Sequence, residues 1–134
     1  MPYLIRVLLL LSFSLAGLAG CTSNRVMNIQ QQVPANSVSS AADIQKAIIQ
    51  ALSQRGWEVQ AVSASEVRAQ ITVRGQHHAE ISIPYNGTQF SIEYRSSWGL
   101  DYQDGDIHRS YNKWVETLRG DIVQALQAQR LLAH

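Results

Sequence analysis

His77-His78 brings together the two side chains of this sequence best suited to hold a metal ion. Their spacing works against it. Adjacent residues on a strand point to opposite faces, so both rings reach one ion only where the turn is irregular. No cysteine or aspartate stands at a ligand spacing nearby, which leaves a metal site set against a solvated turn followed by an outer-face histidine. "DYQDGD", residues 101–106, gathers Asp101, Asp104 and Asp106. A calcium loop needs acids at alternate positions, a glycine at the sixth and a distant glutamate, and this loop lacks that spacing. The acids suit a helix N-terminus instead. His108 and Asn112 are four residues apart, hence neighbours on a helix, where a histidine could act as a general base. The competing reading has the two side chains tying the 97–105 loop to the helix. The chain has no glycine-rich phosphate loop, no paired-carboxylate signature and no nucleotide motif, so no cofactor is implied.

The single cysteine, Cys21, follows an uncharged, leucine-rich run, Val7 to Ala19, and Gly20, and lies directly before a polar stretch. The run falls short of the roughly 20 apolar residues that span a membrane. A short start with one basic residue, a short apolar centre and small residues at a break point describe a secretory signal peptide, residues 1–20. A lone cysteine in an exported chain cannot form an internal disulfide. Leu18-Ala19-Gly20-Cys21 resembles the lipobox of bacterial lipoproteins, which implies that Cys21 becomes the lipidated N-terminus and joins the chain to a membrane. One acyl chain holds only marginally and several hold firmly. Aspartate after the lipid cysteine favours inner-membrane retention in the enterobacterial pattern. Thr22 stands there, so the resemblance implies the periplasmic side of the outer membrane. Removal of Arg6 with the signal leaves ten basic against ten acidic side chains. That balance, without a basic run, excludes electrostatic capture of nucleic acid.

The elements that must position these residues follow from hydrophobic period. Residues 21–39, rich in Ser, Asn and Gln, read as a flexible tether with an r.m.s. reach of roughly 20–25 Å. Val26 to Ile29 could dock as a short edge strand. The folded domain spans 40–134. Ser40 with Asp43 resembles a capping box, Ile44, Ile48, Ala51 and Leu52 recur at helical spacing, and Gly56 ends the helix. Four strands then alternate apolar and polar residues, around Trp57–Ala61, Val67–Val73, Ala79–Tyr85 and Phe90–Tyr94. Asn86-Gly87 signals a hairpin that sets Ile83 opposite Phe90 and Ile81 opposite Ile92. A three-residue loop, Gly75 to His77, joins the middle strands. This register places His78 between Arg74 and Arg95, with Glu80 and Glu93 one row along. The last helix is expected to start near Asp104–Asp106, with a core stripe of Ile107, Tyr111, Trp114, Leu118, Ile122 and Ala125. Two striped helices and a one-faced sheet predict a single α+β domain, α-β-β-β-β-α, with both helices on one face of a four-stranded antiparallel meander.

"RGQHHAEISIPYNGTQFSIEY" followed by "IHRSYNKWVETL" resembles a group of small, uncharacterised proteobacterial outer-membrane lipoproteins. That group pairs an R-x-H-x-A-like strand with an I-H-x-x-Y-N-x-W-V helix start. The elements fall here at Arg74, His78 and Ala79, and at Ile107, His108, Tyr111, Asn112, Trp114 and Val115. One extra residue separates Arg74 from His78, and Gly99 precedes Leu100 where such relatives often carry asparagine. The resemblance implies a lipoprotein of this fold and carries no activity with it. The expected function is that of a non-enzymatic binding or structural module facing the periplasm, with an envelope protein as partner. Its candidate surface is the polar sheet face (Arg68, Arg74, His78, Glu80, Glu93, Arg95) and the sheet edges. Two alternatives stand beside it. One is a carrier holding a small apolar ligand in a helix–sheet seam lined by Tyr94, Trp98, Tyr111 and Trp114. The other is a metal-dependent hydrolase using His78 or His108 with Asp101 or Asp104.

Overall fold

The computed structural model describes residues 22–34 and 40–132. The lipobox with Cys21, and residues 35–39 of the expected tether, lie outside the described residues. Within them the chain runs β1 (Ser23–Arg25), β2 (Ile29–Gln32), α1 (Ala41–Gln54), β3 (Glu58–Val62), β4 (Glu66–Val73) and β5 (His77–Pro84). It continues through β6 (Gln89–Trp98), β7 (Asp106–His108) and α2 (Arg109–Leu132). The fold is α+β, with a five-stranded antiparallel sheet ordered β2-β6-β5-β4-β3 and a separate two-stranded sheet, β1-β7. The expected meander is present as β3 to β6. The difference lies at its flank, where residues read as tether form two strands. Ile29 pairs with Ile92 and Gln32 with Gln89, while Ser23 pairs with His108 and Arg25 with Asp106.

Both helices bury one stripe against one face of the large sheet. From α1 come Ile44, Ala47, Ile48, Ala51 and Leu52; from the sheet come Ile29, Val67, Ala69, Ala79, Ile81, Ile83, Phe90 and Ile92. The alanines on both sides let helix and strand backbones approach closely, as interior packing density requires. The α2 stripe differs from the expected one. Tyr111, Val115, Leu118, Ile122 and Leu126 are buried, while Trp114 and Ala125 are half-buried at its flank. Ile107 is buried from β7, ahead of the helix.

Local chemistry explains where α1 begins and ends. The Ser40 hydroxyl accepts the Asp43 amide at 3.2 Å, and the Asp43 carboxylate accepts the Ser40 amide at 3.1 Å, a reciprocal capping box. At the other end Gly56 N–H donates to Ser53 and Trp57 N–H to Leu52. That pair of bonds is the Schellman closure, and it requires a left-handed residue, which Gly56 supplies with φ +80°. Trp57, buried just beyond, covers the helix end.

Two registers shift from expectation while keeping the faces. The β4–β5 turn is Arg74 to Gln76, with Val73 opposite His77, so Arg74 belongs to the turn and adopts φ 56°. The β5–β6 hairpin pairs Tyr85 with Phe90 and Ile81 with Tyr94. Asn86 is responsible, because its side-chain oxygen accepts the amides of Thr88 and Gln89 at 2.8 and 3.0 Å. An Asx turn thereby replaces the two-residue Asn-Gly hairpin.

Two glycines separate conformation from packing. A Cβ on Gly56 meets nothing within 4 Å, and neither does one on Gly120 inside α2. Gly56→Ala is expected to lose roughly 1–2 kcal/mol for a left-handed non-glycine residue. Gly120→Ala is expected to add roughly 0.5–1 kcal/mol from helix propensity. Denaturant midpoints of the two variants should therefore move in opposite directions.

Candidate functional site

Most of the described residues singled out from the sequence fall at two places, the outer face of the sheet and the start of α2. On the outer face, β5 presents His78, Glu80 and Ser82 while His77 faces the helices, so the adjacent histidines diverge. His78 is nearly buried because Trp98 stacks flat on it, with ring centroids 5.2 Å apart and planes 7° from parallel. Its Nδ1 shares a hydrogen bond with the Thr72 hydroxyl at 2.8 Å, and its Nε2 lies 3.6 Å from Glu80. The strand neighbours of His78 are thus Thr72 and Trp98, in place of the expected Arg74 and Arg95. Arg74 sits in the turn, and Arg95 is the unpaired residue of a β-bulge between Tyr94 and Ser96. Glu93 stands opposite Ser82.

Glu80 is the centre of a polar ladder. It accepts from Gln60 at 3.0 Å and from the Ser96 hydroxyl at 2.6 Å, and Gln60 also reaches Gln70 at 3.1 Å. The Ser96 hydroxyl first, then the Gln60 amide, hold the Glu80 carboxyl below the usual carboxylate range. A depressed carboxylate stabilises the fold above its ordinary pKa, and that contribution fades as pH falls through the folded value. Glu80→Gln is therefore expected to lower stability at neutral pH and to converge with wild type in acid. Thermal melts across the pH range read this directly.

At the start of α2 the expected roles change hands. Asp104 and Asp106 belong to a tight turn and to β7 ahead of the helix. His108 caps instead: its Nδ1 accepts the Ser110 amide at 3.2 Å, the second amide of the helix. The link between the helix start and the preceding loop is made by backbone, from His108 N–H to the Leu100 carbonyl at 2.8 Å. Asn112 turns the other way. Its oxygen accepts the Met27 amide and its nitrogen donates to the Arg25 carbonyl, both at 2.9 Å. It binds the connection between β1 and β2 as a peptide group would. Arg109 N–H donates to the Thr22 carbonyl at 2.9 Å. Tyr111 is fully buried, edge-on to Tyr94, which itself stacks on Tyr102. Desolvation drives the Tyr111 phenol far above its usual pKa.

Gly99 shows why asparagine is absent before Leu100. A Cβ there would stand 1.9 Å from the Gln76 carbonyl oxygen, on a residue with φ +73°. The loop does its polar work through backbone: His77 Nδ1 lies 2.7 Å from the Gly99 carbonyl.

A cleft that the sequence reading missed opens beside this helix start. Its volume is about 460 Å³. Ile71 and Val73 at the end of β4 form its floor, with Trp57 and Arg55 on one side. On the other side stand Ser110, Lys113, Trp114 and Thr117, spaced as one helical face. Arg55 forms an ion pair with Asp121 across the two helices, at 2.5 Å, and that carboxylate raises its pKa. Of the four aromatics expected to line a seam, only Trp114 lines the cleft. Tyr111 is sealed in the core and Trp98 is on the opposite face of the sheet. Among the described residues no three His, Cys, Asp or Glu side chains gather at one point. No described helix is long and apolar enough to cross a membrane. No protein-family model matches the chain, and no curated protein matches it.

The capping geometry gives His108 a testable role. His108→Ala is expected to cost about 0.5–2 kcal/mol, the range for losing a helix cap. His108→Ser should recover most of it, because a serine hydroxyl accepts the same amide. Failure of the serine variant to recover stability in denaturant titration would remove the capping assignment.

Proposed function

We propose that this chain is a lipid-anchored lipoprotein facing the periplasm from the outer membrane, and that its domain is a non-enzymatic binding module for another envelope component. The observation that supports the reading is the setting of Cys21. It follows the uncharged run Val7 to Ala19 and Gly20, completes Leu-Ala-Gly-Cys, and immediately precedes Thr22, the first described residue, whose carbonyl accepts the Arg109 amide. A protein partner is best served by the exposed edge of β3, Glu58–Val62, whose outward backbone groups can accept a strand. Arg68, Glu93 and Arg95 remain exposed on the adjoining polar face.

A second reading, a carrier of a small ligand, draws support from the cleft. Its size lies within the range of small-molecule sites, and its apolar floor and two indoles match their usual lining.

The anchor is tested by metabolic labelling. Wild-type protein is expected to incorporate labelled acyl chains and to be processed, whereas Cys21→Ser should accumulate as unlabelled precursor. Equal label on both proteins would overturn the anchor.

A further inference from the structure

We infer that the cleft between α2 and the end of β4 binds an anionic phospholipid of the leaflet that holds Cys21. The inference rests on the reading of Cys21 as lipidated and adds a ligand and a place to it. Position is the first argument. The Thr22 carbonyl accepts the Arg109 amide at 2.9 Å, and Ser110, the next residue, lines the cleft. Covalent geometry and that bond then confine the Cα of Thr22, the residue that follows Cys21 in the sequence, to within about 11 Å of the Cα of Ser110. Half the hydrocarbon thickness of a bilayer is roughly 15 Å. The cleft therefore lies within one lipid length of the anchor, and the Arg109–Thr22 bond removes the slack by which the domain could carry it away.

Chemistry is the second argument. Trp57, Ile71, Val73 and Trp114 offer an apolar surface for the upper part of an acyl chain. Indoles favour the bilayer interface, where an apolar body meets polar headgroups. The two cations of the cleft are not equivalent. Asp121 neutralises Arg55, whereas Lys113 has no ion-pair partner among the described residues. One uncompensated ammonium above an apolar floor fits a ligand with one net negative charge and a hydrocarbon body. Phosphatidylglycerol meets that description, and zwitterionic phosphatidylethanolamine meets only the apolar half.

The test uses the lipidated full chain carrying Trp98→Phe, which leaves Trp57 and Trp114 as its only indoles. The chain is reconstituted in phosphatidylethanolamine vesicles containing a minor share of phosphatidylglycerol, with brominated acyl chains on one lipid or the other. Bromine on phosphatidylglycerol is expected to quench the indoles more strongly than the same amount on phosphatidylethanolamine, and Lys113→Glu should abolish the difference. Equal quenching by both lipids would reduce the finding to proximity, and no quenching would place the cleft away from the bilayer; either overturns the inference. In a second arm the full Cys21→Ser chain is titrated with monomeric dihexanoyl-phosphatidylglycerol. A saturable change in indole emission is expected, weakened on the order of ten-fold by Lys113→Glu, given the contribution of one basic residue at an anionic surface. Inorganic phosphate alone should produce none. Absence of a saturable change overturns the ligand whether or not Cys21 is acylated. A saturable change, with wild type bearing no acyl label, sustains the ligand and overturns the anchor.

Discussion

The constraint on which the structure depends is a sheet with one apolar face. Along β4 and β5, Val67, Ala69, Ala79, Ile81 and Ile83 all point one way, and leaving them in water would forfeit roughly 25 cal/mol for each Å² of apolar area left uncovered. Two helices side by side meet that need, and each presents a stripe only as wide as the half it covers. Caps, turns and the N-terminal strands serve to set α1 and α2 down in place. Ser40 and Asp43 start α1 where it can reach the sheet, and Gly56 turns the chain so that Trp57 closes the gap below it.

The start of α2 shows the same logic with different chemistry. A helix of this length exposes its first amides to whatever precedes it, and here three separate groups meet there. His108 accepts one amide through its ring, Thr22 accepts another through its carbonyl, and Asn112 one turn on holds the chain between Arg25 and Met27. These contacts fasten the first described residues to the longest helix. Segment 23–32 therefore becomes the fifth strand of one sheet and half of another, although little of its own side-chain surface is buried.

What could be read from the sequence is what local chemistry decides. The capping box, the C-terminal glycine of α1 and the alternation of β4, β5 and β6 depend on residues close in the chain, and all are where the pattern puts them. The edge strand expected at Val26 to Ile29 forms three residues later, as β2, because its four residues are Ile-Gln-Gln-Gln, with one apolar side chain and no alternation to mark its place. It exists because the edge of β6 offers backbone partners, a long-range event. The hairpin register moved because one side chain, Asn86, took the turn amides itself. The helix stripe moved because a period near 3.6 is satisfied equally by Trp114 and by Val115. Of the two neighbours, the smaller fits under the sheet and the larger goes to the flank. At the polar face, the two-residue shift of the hairpin and the one-residue bulge at Arg95 together brought Trp98 opposite His78 and turned an expected charge cluster into a stacked, hydrogen-bonded pair.

The cleft is a consequence of that last choice on α2. Trp114, displaced from the core, extends over the end of the sheet, where Ile71 and Val73 are only half-buried because α1 has already ended. Trp57 approaches from the other side as the residue that closes the Schellman turn. Asp121 and Arg55 bind across the flanks of the two helices at the rim of that space. At this corner Ile71, Val73 and Trp114 keep part of their apolar surface exposed, whereas Val67, Ala69, Ile81 and Ile83 further along the sheet are fully buried. A fold that needed only stability could have closed the corner with one larger side chain at Ser110 or Thr117. Small hydroxyl residues at both positions, beside Trp114 and across from Trp57, leave it open, with Lys113 on the same helix face unpaired among the described residues.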